Sequence, residues 1–180
     1  ELPLAGHPTV VTAVVLAREK MFEWSGDHAD IRFEEGVGTI PVSLQFSNGA
    51  PSVVTMTQPL PRFGPELEDI GAVAQMLSLD TDDIDPELPI EIVSCGVPFL
   101  FVPLVSLEAA GRIEVRGDMV SRVLDPLGTH EVFVFTREVQ YEGSTIHSRM
   151  FAPGLGITED PATGGASGPL GSYLVHHGVV

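Results

Sequence analysis

The sequence of 180 residues has little of three features that often point to a function: basic residues, cysteines and long apolar runs. Nine Lys and Arg stand against 25 Asp and Glu, which gives a formal net charge of −16. Nucleic-acid binding needs clustered Lys and Arg, so the composition argues against that partner. Since Cys95 is the single cysteine, an internal disulfide is excluded, and a reducing cytoplasm is favoured. No apolar run approaches the roughly 20 residues that a membrane span requires.

The remaining composition is that of a globular chain with a sizeable core, since 43% of the residues are hydrophobic. Alternating residues at 31–34 and 39–46, with a turn between them, predict a β-hairpin. Further strands are predicted at 52–57, 90–94, 98–104, 131–136 and 145–151, and helices from about 8 to 22, 67 to 77 and 163 to 176, with one more helix between the later strands. The pattern is α+β with mainly antiparallel sheets.

Two segments have the same organisation at the start of an apolar helix. Residues 5–9 read Ala-Gly-His-Pro-Thr and residues 159–163 read Glu-Asp-Pro-Ala-Thr, so each places a titratable residue before Pro and Thr. Asp160 is expected as an N-cap and Pro161 as the first helical residue. Both helices are apolar on every face, which predicts burial. The repetition suggests two pseudo-symmetric halves, 1–88 and 89–180, whose helix starts face one cleft.

Small residues follow the second titratable group, and they allow a ligand to approach the backbone. The first turn of a helix offers unpaired N–H groups and a positive dipole end, so Gly164 and Gly165 are expected to hold a carboxylate. Asp160 would lie beside that carboxylate and move a proton. Two plainer interpretations stay open: Asp160 as a simple N-cap, and His7 as a helix cap or an ordinary satisfied histidine.

The motifs together resemble those of the PhzF-like isomerases of phenazine biosynthesis, which share the fold of diaminopimelate epimerase. The resemblance rests on the two segments above, on Gly156 and Gly164, on Arg-Met-Phe-Ala-Pro-Gly at 149–154, and on 94–100. It implies two halves, each an antiparallel barrel-like sheet around a central apolar helix. It also implies a cofactor-independent isomerase or epimerase that moves a proton at carbon of a small amine-bearing carboxylic acid. The implied catalytic residues are Asp160 and His7; the implied substrate-binding residues are Gly6, His7, Thr163, Gly164 and Gly165.

Two departures from the family pattern bear on function. The family carries a glutamate in an Asn-x-Ser-Glu context before the Gly-His-Pro motif, and this chain has no counterpart to that glutamate. The family's usual Ser after Asp-Pro-Ala-Thr-Gly is Gly165 here, with Ser167 two residues further on. A non-catalytic protein that binds a small acid, or an inert piece of a longer enzyme, is therefore the alternative to an isomerase. An exposed strand edge would favour self-association as a homodimer.

Other reactive side chains are not assigned a role. Diaminopimelate-type epimerases use a pair of thiols, which Cys95 alone cannot supply, and its apolar segment predicts a buried inert thiol. His176 and His177 are adjacent on a helix, cannot face one metal together, and are expected at the surface. His130 and His147 lack partners at ligand spacing. No metal site is therefore expected.

Overall fold

The computed structural model describes residues 3–180 and has the predicted α+β architecture. Five α-helices occur in this range: α1 Gly6–Arg18, α2 Ile70–Leu77, α3 Leu107–Arg112, α4 Gly117–Leu124 and α5 Ser167–His176. Nine strands accompany them: β1 His28–Glu35, β2 Gly38–Ser47, β3 Ala50–Met56, β4 Arg62–Glu66, β5 Glu91–Ser94, β6 Pro98–Leu104, β7 Val132–Thr136, β8 His147–Ala152 and β9 Ile157–Asp160.

The described chain forms two compact units. The first takes in the chain up to Leu60, together with Cys95–Val97 and Thr163–Gly168. The second consists of Pro61–Ser94, Pro98–Ala162 and Pro169–Val180. The division of the sequence into halves 1–88 and 89–180, which rests on the repeated helix motif, stays a prediction.

The first unit contains an antiparallel sheet in the order β1-β2-β3. Glu35 pairs with Gly38 across a turn at residues 36–37, so the predicted hairpin is confirmed. Successive side chains of a strand point to opposite faces, and every second residue of β2 is buried. These buried residues are Ile40, Val42, Leu44 and Phe46. They form the covered face of the sheet, and α1 packs against β2 and β3.

Helix α1 is not buried on all sides, and the prediction that it would be is wrong. Its buried residues are Thr9, Ala13 and Ala17, which lie four apart and form one stripe. Val11 and Val15 remain 56% and 49% exposed. The physical reason is that the three-stranded sheet is open and not a closed barrel, so it covers α1 from one side only.

The second unit contains a six-stranded sheet in the order β4-β5-β6-β7-β8-β9. Neighbouring strands are antiparallel except for β6 and β7, which are parallel. A parallel pair needs a crossover connection, and α3 and α4 supply it between these two strands. The sheet is therefore mainly antiparallel, as predicted, but open. Its core includes Val73, Met76, Leu77, Leu100, Val102, Leu104, Val120, Leu124, Val132 and Val134.

Tyr173 anchors α5 in this second unit. Its side chain is fully buried and lies 5.7 Å from the Phe101 ring and 5.4 Å from the Phe135 ring, measured between centroids. Its hydroxyl donates a hydrogen bond of 2.5 Å to the carbonyl of Pro89. Burial raises the pKa of the Tyr173 phenol above its ordinary value of 10.0. The helix is thus held by an aromatic ring that carries a satisfied polar group.

The neighbouring histidines differ from the surface prediction. His176 is exposed, as expected. The His177 side chain is only 17% exposed, and its Nε2 lies 2.8 Å from Oε2 of Glu91, whose side chain is 6% exposed. The prediction was wrong for His177 because β5 places a buried carboxylate beside the last turn of α5, and that carboxylate needs a partner.

We expect Tyr173→Phe to lower the free energy of unfolding by about 1 kcal/mol, because the Pro89 carbonyl loses its donor while the ring packing remains. The phenol pKa is raised in the folded state and returns to its ordinary value on unfolding. The wild type should therefore also lose stability as the pH rises above 10.0, and the variant should not show this loss. Urea unfolding between pH 7 and 11 measures both. The exposed Tyr141→Phe is the control, and equal behaviour of the two variants would refute the anchor.

Candidate functional site

The start of α1 lies directly against the backbone of Gly164 and Gly165, within the first unit. A β-carbon at Gly6 would lie 2.6 Å from the Gly165 nitrogen and 3.2 Å from the Gly164 carbonyl carbon. Side-chain carbons do not approach backbone atoms so closely, so only glycine fits at position 6. Three of the predicted binding residues therefore lie together: Gly6 from the start of the sequence, and Gly164 and Gly165 from near its end.

His7 is the second residue of α1, and Ala5 is its N-cap, so a capping role for His7 is wrong. The His7 residue is exposed, and its backbone nitrogen would lie 3.8 Å from a β-carbon at Gly164. The structure thus places His7 next to the small-residue turn and leaves its imidazole accessible to solvent and to solutes.

Glu35, which the sequence analysis missed, accepts hydrogen bonds from two donors at the start of α1. The Ala5 N–H donates a hydrogen bond of 2.7 Å to Oε2 of Glu35, and the Thr9 hydroxyl donates one of 2.5 Å to Oε1. A carboxylate at this end of a helix also complements the positive dipole. No local pattern reveals this contact, because Glu35 ends β1 and reaches α1 only through the fold of the hairpin.

Asp160 is the last residue of β9, and the prediction that it is a helix N-cap is wrong. It pairs with Met150 of β8, which keeps its backbone extended. Thr163 is the cap instead, before a 3₁₀ turn at Gly164–Ala166 that runs into α5. Asp160 is half-buried and belongs to the second unit, whereas Thr163 belongs to the first.

The turn after Thr163 presents backbone donors. The Ala166 N–H donates to the Thr163 carbonyl at 3.2 Å, which is the first bond of the 3₁₀ turn. Gly164 and Gly165 come before Ala166 in the chain. Helix geometry gives the first N–H groups of a helical turn no partner within that turn, so the N–H groups of Gly164 and Gly165 have none there. Because the start of α1 lies against the same two residues, two helix starts meet here. An anion is the ligand that such an arrangement favours.

Gln58 also contacts this turn, and the sequence analysis missed it. Its Nε2 donates a hydrogen bond of 3.1 Å to the carbonyl of Gly165. Its Oε1 is buried and has no hydrogen-bond partner among the described residues. Leaving a buried polar atom unsatisfied costs about 1–3 kcal/mol. Gln58 lies between β3 and β4 in a segment that contains two prolines, and nothing in the spacing of the sequence distinguishes it from an ordinary loop residue.

In the second unit, an ion pair joins β9 to β8 next to Asp160. The Arg149 guanidinium contacts the Glu159 carboxylate through two bonds of 2.8 Å, and its Cζ lies 4.9 Å from the centre of the Phe151 ring. Arg149 holds the pKa of Glu159 below its ordinary value, and Glu159 raises the pKa of Arg149. Such a two-bond pair is geometrically specific, so it fixes the strand that ends at Asp160.

Within residues 3–180, no three His, Cys, Asp or Glu side chains are grouped so that they could hold a metal ion. No helix in the part of the chain that the structure describes is long and apolar enough to cross a membrane. Cys95 is buried, as predicted, in the short segment Cys95–Val97 of the first unit.

Comparison with known proteins gives consistent matches to one family. The sequence model of the phenazine biosynthesis-like protein family, PhzC-PhzF, matches residues 1–180. An uncharacterized isomerase of Bacillus subtilis is 35% identical and aligns with 99% of this chain. The trans-2,3-dihydro-3-hydroxyanthranilate isomerase of Pseudomonas fluorescens is 33% identical over 183 residues, which include all of this chain.

The crystal structure of a Bacillus anthracis phenazine biosynthesis protein of the PhzF family superposes with a TM-score of 0.84 and 27% identity. The match covers 97% of this chain and 58% of that structure. The alignments likewise cover 60% of the B. subtilis relative and 58% of the P. fluorescens enzyme. The chain thus spans a little under two thirds of the length of these relatives.

We expect Gly6→Ala to lower the free energy of unfolding by about 1–3 kcal/mol, because the added methyl group would collide with the Gly165 backbone. Gly111→Ala in α3 is the matched control, since a β-carbon there meets nothing within 4 Å. The control should be neutral or stabilising by up to about 1 kcal/mol. Urea unfolding measures both, and an unchanged stability of Gly6→Ala would contradict the close approach.

We expect Glu159→Gln to lower the free energy of unfolding by up to about 1 kcal/mol at neutral pH, because the pair with Arg149 is partly exposed. The pKa of Glu159 is lowered in the folded state, so its contribution is present above the ordinary value of 4.5 and disappears as the pH falls below it. Unfolding curves at pH 7 and pH 3 measure the difference. An effect that persists at pH 3, or that the exposed Glu142→Gln reproduces, would contradict the pairing.

Proposed function

The chain belongs to the phenazine biosynthesis-like (PhzC-PhzF) family, and from this we propose that it acts as a cofactor-independent isomerase or epimerase. The proposed reaction moves a proton at carbon of a small amine-bearing carboxylic acid. A proton leaves one carbon and a proton returns to carbon, so no oxidant or reductant is consumed. The relatives' names support the class of reaction, and the meeting of two helix starts at Gly6 supports the class of substrate.

The substrate carboxylate is proposed to bind at the N–H groups of Gly164 and Gly165. These donors lead the turn that Thr163 caps, and Gly6 lets the start of α1 approach them from the other side. Backbone donors are fixed before the ligand arrives, so binding there costs little reorganisation. The same helix ends would stabilise the negative charge that develops on the substrate when carbon loses its proton. The contact at Gly6 is the single observation that carries this proposal.

Asp160 and His7 are proposed as the acid–base groups that position the substrate and assist proton transfer. Both side chains can accept and donate a proton, and neither is fully buried. In the family that this chain resembles, a glutamate in an Asn-x-Ser-Glu context does the main proton transfer, and residues 1–180 contain no such sequence. The small-molecule substrate, a cytoplasmic location and a homodimer remain predictions.

One observation favours a second candidate, a protein that binds a small acid without converting it. The donors of the proposed carboxylate site are backbone N–H groups, which can hold an anion without transferring a proton. Binding can therefore be measured separately from proton transfer, and the experiment below distinguishes the two.

The test is exchange of carbon-bound protons in D₂O with trans-2,3-dihydro-3-hydroxyanthranilate, followed by NMR, for this chain and for the P. fluorescens relative. We expect this chain to exchange far more slowly, because a positioned acid–base group contributes roughly 10²–10⁴ in rate. Asp160→Asn should remove most of the remaining exchange while the chain still folds, whereas the exposed Asp82→Asn should leave the exchange unchanged.

Equal exchange by the chain and the relative would mean that the glutamate is not the main base. Unchanged exchange in Asp160→Asn would refute the role of Asp160. Binding of the acid with no exchange at any time would favour the binding-protein candidate.

A further inference from the structure

We propose that Gln58 is the positioning residue of the carboxylate-binding turn: it holds the Gly165–Ala166 peptide group, and thereby aims the N–H groups of Gly164 and Gly165. This inference rests on the function proposed above and adds a residue to the same site. All of the contacts that support it lie within the first unit.

Both ends of the Gly165–Ala166 peptide group are hydrogen-bonded. The Gly165 carbonyl accepts from Nε2 of Gln58 at 3.1 Å, and the Ala166 N–H donates to Thr163 at 3.2 Å. A carbonyl can only accept, so the Gln58 amide has one productive orientation, with its nitrogen toward Gly165. Two adjacent glycines have wide backbone freedom, so a turn built from them needs an external contact to keep one conformation.

The oxygen end of the Gln58 amide is energetically unfavourable in its present position. Oε1 of Gln58 is buried without a partner among the described residues. An apolar side chain of similar size would avoid this unsatisfied acceptor and fill the same space. The Nε2 group, which donates to the Gly165 carbonyl, is therefore the reason for a glutamine at position 58. Local violations of good packing chemistry of this kind are expected at functional sites.

The absence of a side chain at Gly168 leaves room for the Gln58 amide. A β-carbon at Gly168 would lie 1.9 Å from Oε1 of Gln58, and 3.8 Å from Sγ of Cys95. Position 168 is the second residue of α5, where alanine favours a helix more than glycine does. Glycine at position 168 therefore lowers helix stability, and in return it leaves the space that the Gln58 amide occupies.

This geometry provides a variant in which ligand binding should weaken while the stability of the fold changes little. Gly168→Ala adds a methyl group that meets the mobile end of the Gln58 side chain, so the amide should swing away while the fold persists. Gly171→Ala in the same helix is the matched control, since a β-carbon there meets nothing within 4 Å. Gly171→Ala should leave the unfolding temperature unchanged or raise it, and Gly168→Ala should change it little, because the helix preference of alanine offsets the lost hydrogen bond of Gln58.

The experiment titrates ¹⁵N-labelled chain with 2-aminobenzoate, a small amine-bearing carboxylate, and records hydrogen exchange of the Ala166 amide without ligand. For wild type and Gly171→Ala we expect binding with shifts at the Gly164 and Gly165 amides. For Gly168→Ala we expect about five- to tenfold weaker binding, the usual weight of one hydrogen bond, and faster exchange at Ala166. Equal results for both alanine variants would overturn the role of Gln58.

Two substitutions of Gln58 distinguish the effect of the hydrogen-bond donor from the effect of side-chain size. Gln58→Glu keeps the shape but replaces the donor by an oxygen, and Gln58→Leu removes both polar atoms. If the donor is what matters, both variants should bind about five- to tenfold more weakly, and the exposed Gln45→Leu should bind like wild type. Wild-type affinity in Gln58→Glu would overturn the proposal. Absence of 2-aminobenzoate binding in the wild type would instead refute the carboxylate site itself.

Discussion

The contact between Gly6 and the Gly164–Gly165 backbone is the constraint on which the site depends. It joins two segments that are almost the whole chain apart in sequence, and it does so without side chains. The absence of a β-carbon lets the start of α1 lie against the turn that leads into α5. Two positive helix ends then lie together, which is unfavourable in isolation and is relieved by negative charge. Glu35 supplies such charge on one side, at Ala5 and Thr9.

The polar contacts around this glycine junction serve to immobilise it. Glu35 satisfies the start of α1, and Gln58 holds the carbonyl of Gly165. Glycine-rich backbone is suited to close contact with a ligand but is conformationally free, so its order has to come from neighbouring side chains. The site is thus built from small residues that make room and polar residues that restrain them.

The sequence predicts the strands and the site segments better than it predicts how these segments are held. The hairpin with Glu35 opposite Gly38 follows from local alternation and a turn, and the pairing confirms it. The N-cap assigned to Asp160 was wrong because pairing with Met150 across the sheet overrides a local capping signal. Burial of α1 on every side was wrong because apolar composition does not say how much surface the rest of the chain can cover, and Val11 stays 56% exposed.

The residues that the sequence did not reveal share one property: their contacts are long-range. Glu35 reaches Ala5 at the start of α1, Gln58 reaches Gly165 and His177 reaches Glu91, over separations of 30, 107 and 86 residues along the chain. Each is a polar residue whose neighbours in sequence carry no motif. Helical and strand periodicities report local faces only, so contacts of this kind become visible once the backbone is folded.

A crystal structure of the chain grown with 2-aminobenzoate tests the central claim most directly. We predict the carboxylate within hydrogen-bond distance, about 2.7–3.2 Å, of the Gly164 and Gly165 nitrogens. A ligand at full occupancy elsewhere, with these two N–H groups unoccupied, would contradict the account.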